Sequence, residues 1–85
     1  MRNKHQKVLE AIFSEPVRAS IVWKDVEGML LSLGSNIEQA AGSRVCMELN
    51  GVIAVFHRPH PRKETDKGAI KSLRKFLIEA GVRDA

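Results

Sequence analysis

The chain's 85 residues make room for one domain, and a domain of that size buries only roughly 60–65% of the surface its unfolded chain exposes, so any chemistry has to be done at a small, shallow site. With 44% apolar and 28% charged residues, and 14 Lys plus Arg against 10 Asp plus Glu for a net charge of +4, the composition excludes disordered and fibrous classes and describes a basic globular domain. The single cysteine, Cys46, excludes an internal disulfide framework and a cysteine-based zinc site. No apolar run nears the length of about 18 residues that a membrane span needs, and the start MRNKHQKVLE has no hydrophobic signal region, so the expectation is a cytoplasmic protein with no membrane contact.

Residues 4–13, KHQKVLEAIF, place Val8, Leu9, Ile12 and Phe13 on one stripe of a short amphipathic helix, which Ser14-Glu15-Pro16 stops. His5 falls on its polar side. Ser20 or a neighbour can cap a second helix, in which Val22, Val26, Met29, Leu30 and Leu33 recur at helical spacing until Gly34. Trp23 lies beside that stripe and reads as a half-buried packing residue rather than a base-stacking platform, since no second aromatic stands near it.

Asn36-Ile37-Glu38-Gln39 is long enough for a short strand before the loop AAGS. In Arg44-Val45-Cys46-Met47-Glu48-Leu49, Val45, Met47 and Leu49 alternate with a more polar set, which is strand periodicity. Asn50-Gly51 tolerates the positive φ of a type I′ turn and predicts a hairpin, with Val52–Phe56 as the return strand. On that strand His57 shares its alternation with Ile53 and Val55, directing it either to the core or to the strand end. His57-Arg58-Pro59-His60-Pro61 then leads the chain out along an extended, helix-free path. Asp66 can cap a last helix with Ile70, Leu73, Phe76, Leu77 and Ala80 on its apolar side and Gly81 at its end. The sum is an α+β fold: two or three antiparallel strands covered by helices.

Charge is concentrated in one place. Residues 57–75 carry Arg58, Arg62, Lys63, Lys67, Lys71, Arg74 and Lys75 against Glu64 and Asp66, a net +5, leaving −1 for the rest of the chain. Clustered cations suit a polyanion, because neutralising phosphates releases counterions, although a solvated helix face carries the same pattern. Lys67, Lys71, Arg74 and Lys75 are expected to share one flank of the last helix as a basic ridge.

Taken in order, Leu33-Gly34, Gly42-Ser43, the corner Phe56–Pro61, Lys67-Gly68 and Ala80-Gly81-Val82 resemble the HicA family of bacterial toxin–antitoxin toxins over residues 22–82, with residues 1–16 as an added N-terminal helix. The resemblance implies a fold like the double-stranded RNA-binding domain, cleavage of mRNA, and neutralisation by a HicB-like antitoxin; no cofactor or metal is expected. Members of that family carry a catalytic histidine one or two residues after the Gly-Ser. Here those places hold Arg44 and Val45, and alternation makes Arg44 the counterpart, since Val45 points with Met47 and Leu49. An arginine can grip a phosphate but cannot act as a base near neutrality.

Cleaving RNA through its 2′-OH needs a base, an acid and positive charge on the phosphate. His60, which matches a second histidine of the family's corner, and His57 are the candidates for the proton transfers; Arg44, Arg58, Arg62, Lys63, Lys67, Lys71, Arg74 and Lys75 are the candidates for RNA binding, with Arg44 near the scissile phosphate. A histidine between prolines is also a common loop residue. Neither the histidines nor Cys46, Glu64 and Asp66 have metal-ligand spacing, and Cys46 reads as a small packing residue rather than a reactive thiol. Few aromatics are available for stacking, so recognition through backbone and shape is expected. Three functions therefore compete: a ribonuclease toxin, a catalytically weak RNA- and antitoxin-binding module of the same fold, and an interaction domain whose basic helix meets an acidic protein.

Overall fold

Among residues 3–84, which a computed structural model of the chain describes, three helices and three strands follow in the order α1 (Asn3–Phe13), α2 (Trp23–Ser32), β1 (Asn36–Gln39), β2 (Arg44–Leu49), β3 (Val52–His57) and α3 (Lys67–Glu79). The strands form one antiparallel sheet in the order β1-β2-β3, so the fold is α+β and Asn36–Gln39 is its third strand.

The hairpin turn sets which side chains are inside. Asn50 and Gly51 take φ values of 52° and 85°, the left-handed pair that a two-residue type I′ turn requires. The Glu48 carboxylate accepts the Gly51 N–H at 2.8 Å, and Asn50 Nδ2 donates to the Ala80 carbonyl at 2.8 Å, tying the turn to the end of α3. With a two-residue loop, Leu49 faces Val52, Met47 faces Ala54 and Val45 faces Phe56. Cross-strand partners share a face of the sheet, so this set turns to the helices. Arg44, Cys46 and Glu48, with their partners His57, Val55 and Ile53, form the opposite, open face. His57 is therefore exposed and not directed to the core, because its alternation partners Ile53 and Val55 are themselves the outward residues, at 68% and 55% exposure.

Ser20 does not cap α2. Val22 occupies the cap position without a side-chain hydrogen bond; instead the segment after the proline corner supplies backbone partners, with Trp23 N–H donating to the Lys63 carbonyl at 2.9 Å and Thr65 N–H to the Ile21 carbonyl at 2.7 Å. An acceptor from the main chain does the work that a serine hydroxyl does elsewhere. Asp66 does cap α3, its Oδ1 accepting the Ala69 N–H at 2.8 Å.

Helices α2 and α3 lie on the buried sheet face, and α1 packs against both, adding Val8, Leu9 and Ile12 to one continuous core with Met29, Leu30, Met47, Leu73 and Phe76. Trp23 is a packing residue, only 5% exposed, with its ring 5.9 Å from that of Phe56 and its Nε1 donating to the Glu27 carboxylate. His5 is half-buried rather than on a solvated side: α1 approaches α2 so closely at Gly28 that an added Cβ there would stand 3.4 Å from His5 Nε2.

Candidate functional site

The sheet ends in a juxtaposition that the linear sequence does not display. Arg44, the first residue of β2, is the cross-strand partner of His57, the last of β3. The neighbouring pair is hydrogen-bonded, Arg58 N–H donating to the Ser43 carbonyl at 2.9 Å. Because the two kinds of antiparallel pair alternate, Arg44 and His57 form the closer kind, with Cα atoms about 4.5 Å apart and side chains on one face. Both are exposed. The Arg44 guanidinium has only a long bond, Nε to the Ala41 carbonyl at 3.4 Å, so its remaining donors face solvent. His60 stands three residues further along the corner, also exposed, and is not paired with Arg44.

The basic segment divides. Arg74 is turned away from solvent, its side chain 20% exposed, and its guanidinium closes the end of α1: Nε donates to the Ile12 carbonyl at 2.6 Å, one terminal nitrogen to the Ser14 carbonyl at 2.6 Å and the other to the Glu15 carboxylate at 3.0 Å. The expected flank of four cations is thus corrected to three, because the unpaired carbonyls at a helix C-terminus are strong acceptors for a forked cation. Arg58 is likewise engaged, with Nε 2.8 Å from Glu27 Oε2 and another nitrogen 3.2 Å from Oε1, and with a further bond to the Gln39 side-chain oxygen. The hydrogen bonds that the Arg58 guanidinium donates to the Glu27 carboxylate raise the Arg58 pKa above its already high ordinary value. Through Glu27 and Gln39, Arg58 joins the proline corner to α2 and β1.

Lys67, Lys71 and Lys75 follow at intervals of four and are exposed, a stripe along the outer side of α3 that meets β3 at Lys75. Lys63 is exposed, and Arg62 is loosely paired with Glu64 at 3.9 Å. One cation escapes the sequence reading: Lys24, in the first turn of α2, lines a cleft with Arg58, Arg62, Lys63, Pro59 and Pro61. Nothing in the chain order signals this, since the backbone bridge between Val22 and Glu64 is what brings the two segments together.

The rest of the open face carries the carboxylates of Glu38 and Glu48 beside the exposed apolar Ile53 and Val55. Cys46 is partly buried between Glu38 and Val55 in the sheet and lines a depression with Asn36, Glu48 and Ile53 that neither candidate histidine lines. Another cleft lies between α1 and residues 18–22, lined by Lys4, Lys7, Arg18 and Asp25 and by no histidine. Among the described residues no three His, Cys, Asp or Glu side chains gather to hold a metal ion, and no helix is long and apolar enough to cross a membrane.

The family model described as HicA toxin of bacterial toxin-antitoxin matches residues 23–82, from the first residue of α2 to just past α3, leaving α1 outside. No curated protein and no solved structure matches the chain.

Proposed function

The chain belongs to the HicA toxin family of bacterial toxin–antitoxin modules, and from that premise we propose that it is an RNA-binding endoribonuclease that cleaves mRNA and is held silent by a HicB-like antitoxin. The observation that carries the reading is the Arg44–His57 pair on the open end of the sheet, with the lysines of α3 and the Lys24–Arg62–Lys63 cleft as positive surface beyond it. The order of α2, three antiparallel strands and α3 also suits the double-stranded-RNA-binding-domain likeness that the family implies.

In this mechanism an imidazole removes the proton of a ribose 2′-OH, the 2′-oxygen attacks the adjacent phosphorus, and the bond to the 5′-oxygen breaks as that oxygen takes a proton. A 2′,3′-cyclic phosphate and a 5′-hydroxyl result. Arg44 neutralises the extra negative charge that the phosphorane oxygens acquire, which a guanidinium fork does well. His57, next to Arg44, is the base in this scheme and keeps the 2′-OH proton, and a protonated His60 on the corner gives its own proton to the leaving 5′-oxygen. The exposed lysines hold flanking phosphates and give affinity without sequence preference.

The second reading rests on the same position: an arginine stands where the family resemblance calls for a histidine, and arginine does not accept a proton near neutrality. The chain would then bind RNA and antitoxin without cutting. Incubating the purified chain with RNA and analysing the ends decides between them. Cleavage with cyclic-phosphate ends, lowered about 100-fold or more in His57→Ala, supports the nuclease; salt-dependent binding without product from the soluble wild-type chain overturns it in favour of the binding module. Charge reversal at Lys71 and Lys75 should weaken RNA and antitoxin binding together if the antitoxin covers the same stripe.

A further inference from the structure

The hairpin register leaves one edge of the sheet bare. A two-residue loop is closed by a hydrogen-bonded pair, here Leu49 and Val52, and the two kinds of pair alternate from there. Val52, Ala54 and Phe56 therefore turn their backbone groups to β2, and the bond from Arg58 N–H to the Ser43 carbonyl continues the same set. Ile53, Val55 and His57 turn theirs outward, away from β2 on a strand with no neighbour on its other side, and no turn or loop backbone group of the described residues bonds them. The same three residues place exposed side chains on the open face, Ile53 at 68% and Val55 at 55%. Natural edge strands are guarded by lysine, proline, a bulge or shortness. β3 has none of these over its six residues, and its pairing with β2 runs without a break.

We infer that the β3 edge is the interface of a twofold dimer of this chain, in which β3 of each copy pairs antiparallel with β3 of the other about an axis through Val55. That register places Val55 opposite the partner's Val55 and Ile53 opposite the partner's His57. Each outward residue then exchanges both backbone bonds with one in the other copy, and the apolar side chains meet on one face. The choice of a second copy follows from charge. The groove beside the edge, between β3 and α3, is lined by Lys75 and Glu79, opposite charges one helical turn apart. Such a pair is self-complementary under a twofold axis, each Lys75 facing the partner's Glu79. A strand from a strongly acidic or basic protein would meet a groove with no net charge to favour it. The two open faces join into one continuous sheet, and each Arg44–His57 pair lies beside the partner's Ile53. The inference goes beyond the nuclease reading and does not depend on it, because its test reads mass and not cleavage.

Sedimentation of the purified full-length chain at about 100 μM, well above a micromolar Kd, should give twice the 9.5 kDa chain mass, with slow hydrogen exchange at the amides of Ile53, Val55 and His57. Val55→Lys sets two lysines face to face at the axis and should give a monomer with wild-type circular dichroism, and Val55→Glu should do the same. Mixing the two variants should restore the dimer, which no misfolded variant would do. A wild-type chain that stays monomeric at that concentration overturns the inference. So does a dimer that Val55→Lys leaves intact, or two folded variants that stay monomeric when mixed. Amides of β3 that become protected only when an antitoxin is added would assign the edge to that protein and overturn the second copy as its occupant.

Discussion

Within the basic segment, arginines and lysines of equal charge have been put to different uses. Arg58 and Arg74 point inward to carbonyls and carboxylates of α1, α2 and β1, whereas Lys63, Lys67, Lys71 and Lys75 stand in solvent. A guanidinium has five donors in a rigid fork and can satisfy several acceptors at once; an ammonium on a flexible stem is strongly hydrated and stays outside. The net charge of residues 57–75 therefore overstates what is free to meet an anion. Arg74 holds the added helix α1 to the family's core, and Arg58 holds the proline corner beside the Arg44–His57 pair.

The difference is broken most severely at Arg74. Arg74→Ala leaves the carbonyls of Ile12 and Ser14 without their donor and removes a largely buried cation, so a loss of about 2–3 kcal/mol is expected, a fall in Tm of roughly 10–20 °C for a domain of this size. Thermal unfolding measures it. Arg74→Lys separates charge from geometry: it keeps the cation and loses the fork, and an intermediate loss of about 1–2 kcal/mol is expected. A lysine variant as stable as wild type would show that charge alone holds α1. Arg58→Ala should cost less, about 1 kcal/mol, because its side chain is 38% exposed and its pair with Glu27 is partly screened. Its larger effect should be on the site, since the corner carrying His60 loses its tie to α2.

Much of this fold was legible in the sequence. Val45, Met47 and Leu49 announce β2 by alternation, Asn50-Gly51 announces the turn, and Asp66 and Gly81 bracket α3. The same turn also held the answer for His57. A two-residue loop pairs residues whose numbers sum to a constant, so Phe56 must share a face with Val45, and His57 must oppose it. Apolar Ile53 and Val55 obscured that, because hydrophobic residues on an open edge mimic a core pattern. The Arg74 contacts and the Lys24 cleft were beyond reach for another reason. They depend on α1 meeting α3 and on residues 21–23 meeting 63–65, and helix periodicity gives the exposed side of a helix without saying which neighbour lies along its flank.

The lysines test the other half of the comparison, and there the expected change in stability is close to nothing. Lys67, Lys71 and Lys75 are exposed, and single alanine substitutions of such residues stay within about 0.5 kcal/mol of wild type. Their effect belongs in binding. Each phosphate contact contributes about 0.7–0.9 to the slope of log affinity against log salt, so Lys71→Ala should reduce the RNA-binding slope by that amount, uniformly across RNA sequences. Arg74→Ala, measured at a temperature where it is folded, should leave the slope unchanged. A slope that falls with Arg74 and not with Lys71 would mean that RNA displaces the arginine from α1. The charge counted in the sequence would then be the charge that binds, and α1 would be a helix that RNA loosens.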